Sequence, residues 1–267
     1  MNTINLKNIC EQVCELAKET GSFVLNEQKN LNASNIIAKG KNDFLTFVDK
    51  ASEERLIKGL SHILPQASFI AEEGTVIFEQ KEFTWVIDPI DGTTNFIHGL
   101  PAFCISIALM QNNKVVMGVV YELNSKECFY SYLDAPAFLN DTIISVSQSN
   151  TLSSSLIATG FPYTFSDKLD NYIDLLKNFV KKTHGLRRIG SAALDLAYVA
   201  CGRFDGYYEY NLKHWDIAAG AFILQQAGGK VTDFKGEDDY FYGKEVVASN
   251  GFIHQEFQSE IEKFMGN

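Results

Sequence analysis

The run Trp85-Val86-Ile87-Asp88-Pro89-Ile90-Asp91-Gly92-Thr93-Thr94-Asn95-Phe96 carries two carboxylates, Asp88 and Asp91, three residues apart. Two fixed carboxylates suit a hard cation such as Mg2+, which takes oxygen ligands. Thr93-Thr94-Asn95 can open a helix, and the free N–H groups and positive dipole end of a helix start suit a phosphate. Metal and phosphate together point to metal-assisted phosphoryl chemistry. The ordinary alternative is that Asp91-Gly92 is only a turn, Asp91 only a helix N-cap and Asp88 only the end of a strand. The choice turns on the other acidic residues at element ends or starts, Glu72 and Asp216.

The elements that must position these residues can be read in order. Apolar spacing predicts an amphipathic helix over Leu6 to Gln28. Lys39 to Asp43 reads as a polar surface loop, and a second helix starts near Leu45 with Asp43 or Thr46 as its cap. Asp49 lies in its first turns, where a solvated charge is the ordinary reading. Ala67 to Ala71 reads as a strand closed by Glu72-Glu73-Gly74. If that strand neighbours the one delivering Asp88, Glu72 and Asp88 emerge at the same sheet end, where α/β proteins place ligands. Trp85-Val86-Ile87 is a buried strand, and Pro89 stops regular pairing after Asp88.

Phe103 to Met110 and Val115 to Tyr121 form a hairpin, and Cys128 to Tyr132, Ala137 to Leu139 and Ile143 to Val146 continue an antiparallel meander. Ser147 to Ser155 is the best boundary, dividing the chain into halves 1–147 and 148–267 of one compact unit. Leu156 to Thr159 is a strand, Tyr172 to Val180 marks a helix, and Ala192 to Ala200 is a strong helix ending before Gly202. Phe204 to Tyr210 is a strand ending with Glu209. Ile217 to Gln226 is an apolar helix with Asp216 at its start, stopped by Gly228-Gly229. Val231 to Phe234 and Val246 to Ala248 are strands, and Gln255 to Phe264 is a short helix.

The chain has 267 residues, 46% of them apolar, enough for a substantial core. A net charge of −10 argues weakly against non-specific nucleic-acid or membrane-surface binding. An anionic substrate remains compatible, because bound divalent ions invert the local field. The five cysteines show no Cys-x-x-Cys pair and no zinc spacing, which fits a reducing cytoplasm. Met1 to Ile9 lacks the basic start and apolar run of a secretion signal, and no stretch is apolar enough to span a membrane.

Asp43-Phe44-Leu45-Thr46 through Asp49, Ala71-Glu72-Glu73-Gly74, Trp85 through Phe96, and Trp215-Asp216-Ile217-Ala218-Ala219-Gly220 through Gly228-Gly229 together resemble the inositol monophosphatase family, most closely its bacterial branch. That family sits among the Mg2+-dependent, lithium-sensitive phosphatases that include fructose-1,6-bisphosphatases. The resemblance implies a layered αβαβα sandwich with a mixed or antiparallel sheet in each half. It implies metal ligands at Glu72, Asp88, the Ile90 carbonyl, Asp91 and Asp216, holding two to three Mg2+ ions with Asp88 shared. Glu72, Thr93 and Asp49 are the catalytic set it implies, with the Thr93 hydroxyl, paired with Asp49, orienting the attacking water. Substrate contacts fall on Asp91, Gly92, Thr93, Thr94, Ala192, Glu209 and Asp216.

The implied activity is hydrolysis of a phosphate monoester, foremost inositol monophosphate, by metal-activated water in a cytoplasmic homodimer. Relatives also use fructose-1,6-bisphosphate, adenosine 3′,5′-bisphosphate, NADP or histidinol phosphate. A protein that keeps the fold for a binding or regulatory role is the second reading, disfavoured because every implied ligand is present. Arg187 and Arg188 could favour an additional anion. They precede the helix near Ser191 and not the metal loop, so a surface or interface position is expected for them.

Overall fold

The computed structural model describes residues 4–30, 36–40, 43–76, 78–161 and 168–266, with the backbone alone for 36–40 and 43–46. Helix α1 (Leu6–Gln28) has the predicted bounds, and the Asn5 side chain caps it by accepting from the Asn8 N–H at 3.1 Å. Strands β1 (Ile36–Gly40) and β2 (Asp43–Thr46) form an antiparallel pair. The expected loop over Lys39 to Asp43 is thus strand at Lys39, Gly40 and Asp43, with 41–42 outside the described residues. Helix α2 (Phe47–Ile63) starts later than expected, because Leu45 and Thr46 are taken up by strand pairing.

Strand β3 (Ser68–Ala71), β4 (Phe83–Asp91), helix α3 (Thr93–His98), β5 (Cys104–Gln111), β6 (Lys114–Glu122), β7 (Glu127–Tyr132), β8 (Phe138–Leu139) and β9 (Thr142–Ile143) follow. The seven strands make one sheet in sequence order, parallel between β3 and β4 and antiparallel elsewhere. The last strand is shorter than the expected Ile143 to Val146. Ile144 N–H turns to the Ala137 carbonyl and Val146 N–H to that of Ala227.

After a 3-10 turn at Leu152–Ser154 come β10 (Leu156–Thr159), α4 (Leu169–Lys182), β11 (Gly185–Arg187), α5 (Ala192–Ala200), β12 (Gly206–Tyr210), α6 (His214–Gln226), β13 (Lys230–Thr232), the short α7 (Tyr240–Gly243), β14 (Glu245–Ser249) and α8 (His254–Met265). A second, mixed sheet has the order β11-β10-β12-β14-β13. Among the described residues no helix is long and apolar enough to cross a membrane.

Alternation along the strands explains the layers. Trp85 and Ile87 of β4 pack with Val13 and Ala17 of α1 and Leu56 of α2. Val86, on the other face, packs with Leu194 of α5 and Ala219 of α6, as does Tyr207 of β12 from the second sheet. Tyr208 faces outward to Tyr172 and Phe179 of α4 and Phe257 of α8. The order is therefore helices, sheet, helices, sheet, helices: the αβαβα sandwich. Helix α6 lies between two sheets, and Ile217 through Leu224 are all buried, as a helix apolar on every side requires.

The outer layer holds a titrating group. His254 is buried, with Nδ1 at 2.9 Å from Ser249 Oγ and Nε2 at 3.1 Å from Thr232 Oγ1. Burial, helped by Lys230, pushes its imidazolium from 6.5 down to about 4. The folded state then refuses a proton that the unfolded chain accepts. Stability is full above 6.5 and falls as pH drops toward 4. Urea midpoints at pH 7.5 and 4.5 should reveal a loss of about 2 kcal/mol from this group. In His254→Gln that part of the pH slope should vanish, and an unchanged slope would refute the assignment.

Candidate active site

Asp88 and Asp91 come from the end of β4. Strict alternation would send Asp88 and Ile90 to one face and Asp91 to the other. The register of β4 against β5 instead breaks between Asp88↔Ser106 and Asp91↔Cys104. This bulge spends Pro89 and Ile90 as the offset, so pairing does not stop at Asp88 as expected but resumes at Asp91. Ile90 packs with the α1/α2 core, while Asp91 turns to the middle layer. There Asp91 Oδ2 accepts from Ser191 Oγ at 2.8 Å and from the Ala193 N–H at 2.7 Å. Asp88 Oδ1 accepts from the Ile90 N–H at 2.9 Å, fixing the bulge.

Gly92 then takes φ +98°, and a Cβ there would come within 3.1 Å of the Ala102 carbonyl oxygen. Only glycine fits that left-handed turn without strain. Asn95, in α3, donates to the carbonyls of Ala102 at 2.6 Å and Ile189 at 2.9 Å, bracing the loop against the approach to α5.

Glu72 arrives as the spacing implied. Parallel pairing sets Ala71 opposite Ile87, and the Glu72 N–H continues to the Ile87 carbonyl at 3.3 Å. Its carboxyl lies within hydrogen-bonding reach of that of Asp88. The following turn is held by Glu53 of α2, a residue the sequence did not single out. Glu53 is fully buried and accepts from the N–H groups of Glu73 at 2.7 Å and Thr75 at 3.0 Å. The Thr93 hydroxyl lies 3.0 Å from the Ile90 carbonyl oxygen and 3.3 Å from Asp49 Oδ1. Asp49 is 1% exposed, so the solvated-charge reading does not hold.

Asp216 stands in the first turn of α6, where its Oδ2 accepts from the Lys213 N–H at 2.7 Å. The N-cap of α6 is Lys213. Glu209 ends up beside these residues because it shares the inner face of β12 with Tyr207. The Tyr207 hydroxyl donates to Glu209 Oε2 at 2.6 Å.

One cleft joins them, lined by Glu72, Asp88, Ile90, Asp91, Gly92, Thr93, Thr94, Ala192, Glu209 and Asp216, together with Gly160, Arg188 and Ser191. It encloses about 630 Å3 not filled by protein, part of it open to solvent. Asp49 stands behind Thr93 and not on the wall. Arg188 corrects an expectation: it lines the cleft, with its guanidinium 5.9 Å from the centre of the Phe161 ring. The three-residue strand β11 ends at Arg187, and Arg188, Gly190, Ser191 and Ala192 after it line the cleft. Arg187 stays exposed, donating to the Leu186 carbonyl. Ser191, Gly160 and Tyr207 were also missed, since none has a local signature.

Burial dominates the electrostatics. It raises Asp88 well above the usual carboxylate range, reinforced by Glu72, Asp91 and Asp216. Burial raises Asp91 to about 6, against the pull of Ser191 and the Ala193 and Ala192 N–H groups. Burial and Asp91 raise Asp216. As they stand, no three Asp, Glu, His or Cys side chains among the described residues converge tightly enough to hold an ion. The fit to Mg2+ rests on the donor set. It is all oxygen, four carboxylates share one cleft, and mutual repulsion among them is what a divalent cation relieves.

Residues 5–265 match the model of the inositol monophosphatase family. The chain is 43% identical over 235 residues, 88% of its length and 90% of the relative's, to the putative Nus factor SuhB of Neisseria meningitidis serogroup B. It is 37% identical over 259 residues to the inositol-1-monophosphatase of Mesorhizobium japonicum, covering 97% of this chain and 96% of that one. The crystal structure of the extragenic suppressor protein suhB from Bartonella henselae superposes with a TM-score of 0.89 at 37% identity, covering 97% and 98% of the two chains. The chain belongs to the inositol monophosphatase family, and with it to the Mg2+-dependent phosphomonoesterases.

Proposed function

We propose that the chain hydrolyses the monophosphate of a polyol, inositol 1-phosphate above others, by metal-activated water. The observation that carries this reading is Glu209. A carboxylate that accepts hydroxyl hydrogen bonds shares one cleft with four carboxylates suited to hard cations. The name of the Mesorhizobium relative supports it.

Two to three Mg2+ ions, when bound, would acidify the attacking water and stabilise charge on the phosphoryl and leaving oxygens. Glu72, Asp88 and the Ile90 carbonyl would hold one, and Asp88, Asp91 and Asp216 a second. Thr93 would orient the water through its hydroxyl, with Asp49 accepting from that hydroxyl. The N–H groups of Gly92, Thr93 and Thr94 would bind phosphate oxygens. Ala192, through its backbone, and Glu209 would hold hydroxyls of the leaving alcohol.

Phosphate release with and without Mg2+, across inositol 1-phosphate, fructose-1,6-bisphosphate and adenosine 3′,5′-bisphosphate, tests the reading. The polyol monophosphate should have the highest kcat/KM. A tenfold preference for either bisphosphate would overturn it and make Arg188 the recognition residue. Glu209→Gln should raise KM for inositol 1-phosphate roughly threefold to tenfold with a smaller change in kcat, as for binding common to ground and transition states.

Other parts of the reading rest on the family resemblance: inhibition by Li+, a homodimer, and cytoplasmic residence, the last also supported by the five free thiols. Light scattering giving only a 29.9 kDa species would refute the dimer. The division at 147/148 is likewise proposed, supported by two sheets that lie within 68–143 and 156–249. The Neisseria relative, named as a putative Nus factor, favours a second role of that kind. An Asp91→Asn chain that replaced such a relative in its cell would show that role to be independent of hydrolysis.

A further inference from the structure

Glu209 is held from two sides. Tyr207, fully buried, donates its hydroxyl to Oε2 at 2.6 Å. On the other side lies Gly160, at the end of β10. A Cβ built there would fall 1.8 Å from Oε2, 2.0 Å from Cδ and 2.2 Å from Oε1. The Cα of Gly160 thus closes one side of the carboxylate, and any larger residue would evict it. Gly160 is fixed in turn, because the hydroxyl of Tyr172, from α4, donates to its carbonyl at 3.0 Å. That hydroxyl also lies 2.6 Å from Thr159 Oγ1. Glu209 Oε1 has no donor among the described residues, although Glu209 lines the cleft.

We propose that Tyr207 and Gly160 are positioning residues. Together they clamp the Glu209 carboxylate in one orientation, leaving Oε1 as a single fixed acceptor for one hydroxyl of the leaving alcohol. The inference rests on the reading of Glu209 as a substrate contact. A free glutamate could rotate both oxygens toward any donor. A clamped one holds the lone pairs of one oxygen at a fixed place, so it selects alcohols with a hydroxyl at one fixed distance from the ester oxygen. Neither residue touches the metal carboxylates by a hydrogen bond, so the clamp acts on binding and not on the phosphoryl step.

The test uses the full chain carrying Tyr207→Phe or Gly160→Ala, with two substrates: inositol 1-phosphate and 4-nitrophenyl phosphate, whose leaving group has no further hydroxyl. Each variant should raise KM for inositol 1-phosphate roughly threefold to tenfold with kcat within about twofold. Both parameters for 4-nitrophenyl phosphate should stay within about twofold. A merely structural role would impair both substrates alike, and that result overturns the proposal. Crystals of Tyr207→Phe should hold the Glu209 carboxylate in a new or a divided orientation, and an unmoved carboxylate overturns the clamp. Adding Tyr207→Phe to Glu209→Gln should raise KM no further. If Glu209→Gln leaves KM unchanged while Tyr207→Phe displaces the carboxylate, the clamp stands and the substrate reading fails. Should Tyr207→Phe not fold, Gly160→Ala decides alone through the same split between substrates.

Discussion

Asp91→Asn should lower kcat by about a hundredfold or more, close to 3 kcal/mol of transition-state stabilisation, with the fold intact. Asp91 Oδ2 is committed to Ser191 Oγ and the Ala193 N–H. An asparagine would keep those bonds by turning its amide oxygen toward them. Its NH2 would then face the proposed cation position, where both a charge and a lone pair would be lost. Apo stability should hold or rise, because the variant removes a carboxylate that burial and its neighbours already strain. The thermal shift produced by Mg2+ should shrink at the same time. Asp216→Asn should behave alike, since its carbonyl oxygen can still accept from the Lys213 N–H. Turnover above half of wild type in either variant would sink the assignment of both as ligands.

The second large effect is expected at Gly118, far from any titrating chemistry. Met117 and Val119 of β6 face α1 and α2, so position 118 faces α6. A Cβ on Gly118 would come within 2.7 Å of the Ala219 carbonyl oxygen and 3.0 Å of its Cα. Both are backbone atoms, which cannot rotate away. Gly118→Val must push helix and sheet apart, at a cost of roughly 3 kcal/mol by analogy with overpacked cores. The helix displaced is the one whose first turn carries Asp216, and the Trp215 carbonyl takes a bond from Ser106 Oγ at 3.2 Å. Shifts of about 1 Å in catalytic groups can cost on the order of a hundredfold in rate. Gly118→Val should therefore lose both urea stability and kcat, while Gly118→Ala loses less of each. Wild-type turnover in a folded Gly118→Val chain would show that α6 does not set the Asp216 position.

What the amino-acid order determined by itself is local or periodic. The bounds of α1, the hairpin of β5 and β6, the helix Ala192–Ala200 and the glycine stop after α6 follow from apolar spacing and from breakers within a few residues. The Asp88–Asp91 pair could be read because its carboxylates, proline and glycine are contiguous, and the short distance fixes what the backbone can do. Glu72 was legible only on the condition that β3 and β4 are neighbours, which parallel pairing of Ala71 with Ile87 supplies.

Tertiary structure alone decided the rest. That Asp91 faces inward depends on a bulge whose partner is β5, since strict alternation would have pointed it to the other core. That Glu209 reaches the cleft depends on which face of β12 covers α5 and α6. Arg188 was expected at a surface because it precedes the helix near Ser191 and not the metal loop, yet the path of the chain after β11 brings it to the cleft. Glu53, Ser191, Tyr207 and Gly160 support the site from positions with no distinguishing neighbours in sequence. Their roles exist only across separations such as the 100 residues between Asp91 and Ser191. No local window carries that information, because the facing partner is chosen by sheet register and layer packing, and those are settled by the burial of the whole chain at once.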